Sequence, residues 1–420
     1  MKPLSTSLIL SLLLSWSFAV SASSTVVTNG NNEGAGSLRE ALLSGATSIR
    51  ISSSVNHIVI TETLNYEGRR SLVIDGNGQT VDASSIALNQ DILSINNGAN
   101  LFISDLSFVG NFESFNEDAT TPIGGKGIYV DVPLDRTGIV LVQLTNVSIA
   151  WVGNHGVHVS DCTLGNDCAA GSGGGGEGSP ASIYVQLKNV LINEVGFGKS
   201  DADGLRVDDR GDGSIYLSAY QSRFLNVGAD GIELDEGNDG FVAAFVNESI
   251  FDSNGEYCNF VTSYQSGPCD DDGDRDVDDG FDIDEAGNGS LYAKVTNSAV
   301  TNNFDEGLDF DEEDAGSIEV LLDTVYGAGN ADEAIKMSEK GNGNVVTRLT
   351  AITTAYNNSD REGIELEEAD EGDLIVTVLG ANMIGNIDEQ LKLEQDGDGE
   401  GFVEIIDSVV DINLDGVNKL

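Results

Sequence analysis

The sequence predicts an all-β chain: a right-handed parallel β-helix of about 27 residues per rung, with a short N-terminal capping helix. Three observations carry this. An acidic–Gly–apolar–x–apolar core recurs at a near-constant step, the signature of a solenoid. Each copy holds three short runs of apolar–polar alternation and no helical period, which is a strand pattern. The composition, with 51 Gly and only 5 Pro, suits many tight turns and no long helices.

The repeat reads DGLRVDD at Asp203, DGIELDE at Asp230, DGFDIDE at Asp279 and EGLDFDE at Glu306, then EAIKMSE at Glu333, EGIELEE at Glu362 and EQLKLEQ at Glu389. The spacing holds constant except for one long step, from Asp230 to Asp279, and one slightly extended step, from Glu333 to Glu362. Fainter copies lie at Lys126-Gly127 and His155-Gly156, with opening rungs near Leu72 and Leu101. The step from Gly156 to Gly204 is long as well, and the long steps mark insertions near 160–182 and 255–278. Leu205, Ile232, Phe281, Leu308, Ile335, Ile364 and Leu391 are expected to form one inward stack. Asn254, Asn303, Asn330, Asn386 and Asn413 recur at one fixed offset from the reference glycine position, as an asparagine ladder would.

Lys2, the apolar run Leu8 to Leu14 and the small residues Ala19 to Ala22 have the order of a secretory signal peptide, cut after Ala22. The expected organisation is therefore a signal segment over 1–22, a cap over 23–60 and the coil over 61–420. The predicted location is secreted or extracellular, with the periplasm or cell surface included, as a monomer without a membrane span. The segment Thr25 to Asn29, followed by GAGSLREAL from Gly34 to Leu42, resembles the cap of exported pectate-lyase-like β-helix proteins with a CSLREA-type motif. Gly36 stands in place of that motif's Cys, while Ser37, Leu38, Arg39, Glu40 and Ala41 match it. The resemblance implies a short amphipathic helix over the open end of the coil. It implies little about chemistry, because this fold hosts lyases, hydrolases, adhesins and passive stalks.

Seventy acidic against 20 basic side chains give a net charge of −50. Nucleic acid and anionic membranes are excluded as partners by repulsion, and cations are favoured. Stacked rungs turn the acidic repeats into columns: Asp203 to Glu389 before the glycine, Asp208 to Glu394 four positions after it, and Asp209 to Glu368 five after it. Like charges one rung apart repel by roughly 1 kcal/mol in water and a few kcal/mol at a protein-surface dielectric. Either long side chains splay into water or divalent cations sit between rungs. Carboxylate oxygens on flexible turns suit calcium. The expected ligands are Asp270, Asp272, Asp274, Asp276 and Asp278, a run like half of a DxDxDG loop, together with Asp235, Asp284 and Asp311.

Outward strand positions fall two and four places after each glycine. Arg206, Asp208 and Asp235 are the catalytic candidates there, as base and calcium-binding carboxylates of a lyase or as a glycosidase pair. Carboxylate pairs made by a repeat carry little weight, and an active site is expected where the repeat breaks. Trp151 and Tyr264 are the candidate sugar-stacking aromatics, and His57, His155 and His158 lack a Ser or Cys nucleophile partner. The four cysteines read as two local disulfides, Cys162–Cys168 and Cys258–Cys269. The reading leans to an acidic, calcium-binding extracellular protein that binds a polysaccharide or cell-surface component. The alternative is a calcium-dependent polysaccharide lyase or glycoside hydrolase.

Overall fold

A computed structural model describes residues 23–112, 115–116, 123–162, 177–260, 278–357 and 362–420. The signal segment, Asp270, Asp272, Asp274, Asp276, Tyr264, Cys168 and Cys269 lie outside the described residues. Cys162 and Cys258 carry no free thiol.

The chain is a right-handed parallel β-helix with three strands per rung. The first ladder stacks 12 strands from Leu64–Tyr66 to Ile412–Asp415, each hydrogen-bonded in parallel to the rung before and after. The second ladder includes Ala181–Lys188, Ile215–Tyr220 and Val242–Asn247, and the third Leu191–Val195, Arg223–Val227 and Ile250–Asp252. Strands Leu72–Asp82, Leu101–Val109 and Gly138–Val152 each run through both of these ladders.

One residue makes the corner between them. Asp105, Asn146, Asn189, Gln221, Glu248, Asn297, Thr324, Ala351 and Asp407 sit there with φ between 48° and 58°. This left-handed conformation suits Asn and Asp, whose side chains bond locally, better than Thr or Ala.

Alternation sets the core. Leu205, Ile232, Phe281, Leu308, Ile335, Ile364 and Leu391 are all fully buried on the inner side of the first ladder. Phe224, Phe251 and Phe281 stack inside the coil with ring centroids 5.1 and 5.7 Å apart. The helix Leu38–Leu43 buries Leu38, Ala41 and Leu42. Arg39 pins it to the first rung through the carbonyls of Glu62 and Thr63, each at 2.7 Å.

The asparagine ladder forms, with a different membership. Amide-to-amide bonds of 2.9 to 3.1 Å link Asn254, Asn303, Asn330, Asn357 and Asn386, and Gln390 ends the column. Asn357 belongs although its rung carries Ala334 instead of the reference glycine. Asn413 does not: it lies in the strand Ile412–Asp415 and donates to the Glu389 carboxylate at 3.2 Å.

The acidic columns divide by direction. The carboxylates of Asp203, Asp230 and Asp279 accept the backbone N–H of the equivalent residue one rung on, at 3.1, 2.5 and 2.7 Å. Asp209, Glu236, Glu285, Glu312, Glu339 and Glu368, by contrast, turn inward and are at most 1% exposed. Parity places them with Leu205 and Val207 on the inner side, so they do not splay into water.

Candidate functional site

The outer face of the first ladder changes character along the coil. In register, one column reads Asn65, Ser94, Tyr129, His158, Arg206, Glu233, Asp282, Asp309, Lys336, Glu365 and Lys392. Its neighbour reads Asn96, Asp131, Ser160, Asp208, Asp235, Asp284 and Asp311. The position before the glycine switches from Asp203 to His155 and then Lys126. Two columns therefore lack an acid in both of these rungs and the third lacks one at Ser160, where the insertion interrupts the coil.

At that break Arg206, only 2% exposed, binds five carboxylates. Its Nε donates to Asp208 Oδ1 at 2.8 Å, its Nη1 reaches Asp201 at 2.6 Å, Asp203 at 3.5 Å and Glu233, and its Nη2 donates to Asp235 at 3.1 Å. Arg210 donates to the same Asp235 oxygen. Burial opposes the charge on Arg206, but the surrounding carboxylates outweigh it and hold the guanidinium protonated. Arg206 is thus the centre of a buried ion-pair cluster. Asp208 and Asp235, each 0% exposed, are brought together by this clamp. Burial would raise both. Arg206 and His158 nevertheless hold Asp208 well below the carboxylate range, while Asp235 is pushed up to about 7.

His158 is the residue that the repeat pattern understated. Its Nε2 lies 2.5 Å from Asp208 Oδ2, and its Nδ1 is buried without a partner. Desolvation and the Lys126 charge lower its pKa to about 4, so the ring is neutral near pH 7. The ionised Asp208 accepts a hydrogen bond from Nε2–H, which leaves the lone pair on Nδ1. His155 packs on His158 with ring centroids 4.6 Å apart and accepts the Asp203 N–H at Nδ1, 3.0 Å away. Tyr129 lies on the other side, 5.4 Å ring to ring, with Lys126 Nζ 3.9 Å from its centroid. Burial, relieved in part by Asp91, lowers Lys126 to about 8. Burial and Asp131 raise Tyr129, which stays a phenol. The signal for this group was in the sequence: three columns change residue class together at the rung of His155, His158 and Ser160.

Next to it a cleft of about 460 Å³ opens along the preceding rungs, lined by Arg39, Glu62, Thr63, Asn65, Asn89, Gln90, Asp91, Ser94 and Asn96. Asp91 joins the two, since its carboxylate accepts the Lys126 N–H at 2.7 Å. Beyond Arg206, Glu233, Asp282 and Asp284 bring one oxygen each within 4.8 Å of one another. Asp235 Oδ1, buried beside Asp284, has no partner. Asp311 continues the same column at the next rung. Asp278 is 8% exposed at the edge of the second insertion. Of the aromatics, Trp151 is partly buried. Tyr184 and Tyr216 stack 4.0 Å apart outside the second ladder, and Phe241 and Tyr292 continue that strip. His57 is remote from this group and pairs with Asp82 at 2.7 Å.

No family model and no curated protein matches the chain. Among solved structures it is similar to the periplasmic alginate epimerase AlgG, with a TM-score of 0.48 and 10% identity over 94% of this chain and 85% of that chain. It is similar to pectate lyase Pel9A, at 0.39 and 11% over 95% and 79%. The polygalacturonase from Erwinia carotovora ssp. carotovora gives 0.40 and 12% over 96% and 99%. The likeness lies in the coil.

Proposed function

We propose that the chain is a polysaccharide-active enzyme that abstracts the proton beside the carboxylate of a uronate sugar. The observation that carries this reading is His158, a neutral imidazole fixed by Asp208 with a free Nδ1 lone pair at the break in the repeat. The proton α to a carboxylate is weakly acidic, so its removal needs a base and neutralisation of the carboxylate. His158 Nδ1 takes the proton. Lys126, with Lys199 close by, supplies positive charge to the sugar carboxylate. Tyr129 returns a proton, either to the leaving glycosidic oxygen or to the opposite face of the sugar carbon. The first route is elimination and the second epimerisation. The neutral polar cleft from Asn65 to Asn96 holds the neighbouring sugars by hydrogen bonds.

The oxygen-only set Glu233, Asp282 and Asp284, with the orphaned Asp235 Oδ1, fits calcium on the same face. These residues would hold a calcium ion, which would supply positive charge for a second uronate carboxylate. The export and calcium expectations belong to this reading, and it favours catalysis over a purely structural role.

The test is incubation of the purified protein, with millimolar calcium, with alginate- and pectate-type polyuronates and with neutral glycans. Elimination is read by the absorbance of unsaturated uronate ends and epimerisation by proton NMR. Turnover on a polyuronate, lost in His158→Gln, is expected. No change in any polyuronate rejects the assignment.

A further inference from the structure

Glu339 and Glu368 lie at the inner corner where each rung leaves the first ladder, both 0% exposed. Their surroundings can be compared with those of Gln395, which holds the same position one rung beyond. A Cβ placed on Gly343 would lie 1.5 Å from Gly316 O and 2.5 Å from Glu339 Oε1. One on Gly372 would lie 1.5 Å from Gly343 O and 2.7 Å from Glu368 Oε1. One on Gly399 would lie 1.3 Å from Gly372 O and 2.9 Å from Gln395 Nε2. The tip of the side chain thus occupies one place in all three rungs, beside the glycine carbonyl of the rung before.

In the last rung the atom there is an amide nitrogen. It donates to Gly372 O at 3.2 Å and to Glu368 Oε2, while the amide oxygen accepts the Leu374 N–H at 2.9 Å. In the other two rungs an oxygen faces that carbonyl. Glu339 Oε1 and Oε2 and Glu368 Oε1 have no hydrogen-bond donor within reach. Two acceptors crowd one buried place at substantial cost unless one of them carries a proton.

We infer that Glu339 and Glu368 are neutral carboxylic acids in the folded chain, donating along a carboxyl ladder that Gln395 terminates as its amide equivalent. The asparagine ladder at another corner ends the same way, in Gln390. The titratable groups facing the pair are Glu312, Asp370 and Asp373, all acidic. Burial and then Glu312 push Glu339 up to about 8, and burial and then Glu339 push Glu368 up to about 7. Both values lie above the ordinary carboxyl range near about 4.3. The ladder's contribution to stability is therefore complete below about pH 4 and is lost as the pH rises through about 7 to 8.

The test compares the full chain with Glu339→Gln/Glu368→Gln in chelator at constant ionic strength. The wild type is expected to melt lower as the pH rises from about 5 to about 8. The double variant should match it near pH 5 and show a smaller decline. The infrared carbonyl band of protonated carboxylic acid, recorded near pH 6 on both proteins, should be weaker in the variant. Glu368→Gln alone serves if the double variant does not fold. A Gln variant melting far below the wild type near pH 5, as Glu339→Ala should, overturns the inference. So does a wild-type melting temperature that calcium raises by an increment the Gln variant lacks, because a cation then occupies the proton's place.

Discussion

The two halves of the first ladder's outer face are built on the same strands and solve opposite problems. From Arg206 to Lys392 the column is periodic and mostly acidic, and single cations punctuate it. Lys336 bridges Glu306 and Asp309 at 2.9 and 2.7 Å, and Lys392 pairs with Glu365. From Asn65 to His158 the column is neutral or basic and bordered by a cleft. The acidic half is what repetition produces when the same turn is copied. The other half departs from the copy at Lys126, Tyr129, His155 and His158, and these residues touch one another. In a repeat protein, chemistry is best sought where several columns break together.

The largest expected effect tests that contrast directly. His158→Gln keeps a neutral polar group but moves the lone pair, and turnover should fall by roughly 10²–10⁴-fold, the usual weight of a positioned base. Near-ultraviolet circular dichroism should be unchanged. The wild-type rate should fall as the pH drops through about 4, where His158 takes up a proton, and Asp208 stays ionised there. A profile whose acid limb lies near 7 would point to Asp203 or Asp235 instead.

Next comes the clamp between the halves. Arg206→Met strands the buried carboxylates of Asp208, Glu233 and Asp235 against one another, and chemical denaturation should show a loss of about 3–5 kcal/mol at neutral pH. Lys336→Met, at a side chain 31% exposed that nevertheless pairs with the buried Glu306 and Asp309, should cost less, about 1–2 kcal/mol. Equal losses would erase the distinction between the halves.

Smaller still is the asparagine ladder. Asn330→Ala leaves buried amide partners on both sides and should cost about 1–3 kcal/mol, whereas Asn413→Ala, outside the ladder, should stay within about 0.5 kcal/mol. The smallest effect is a gain. Ala351 holds φ 50° with no side chain to favour it, so Ala351→Gly should stabilise by up to about 1 kcal/mol.

Much of this coil is legible in the sequence because a solenoid writes its fold as a period. The near-constant step between copies, the inward stack from Leu205 to Leu391 and the outward direction of Arg206 and Asp208 all follow from spacing and parity. Parity also places Glu236, Glu285 and Glu312 inside the coil, although their charge argues for solvent. Their burial, at most 1% exposed, resolves that conflict, and it raises their carboxyl pKa values. The site is half legible: Asp208 and Arg206 stand out, but the bond from Asp208 to His158 joins positions 50 apart across an insertion. Asn357 stands at the same offset from Ala334 as Asn330 from Gly307, so the spacing alone places it in the ladder. The acids before the glycine, Asp203, Asp230 and Asp279, each spend one oxygen on a backbone amide of the next rung, which spacing alone does not show.

The one-residue corner between the second and third ladders has a consequence for how such a chain can grow. From Asp105 onward that corner is the same length in every rung, because a single left-handed residue leaves no slack for more. The strands that end at Val109, Ser160 and Asp252 instead do so at the other two corners. Both of those flank the first ladder. The two corners where the chain departs from the ladders lie along the rims of one face, and that face is where His158 and the cleft lie.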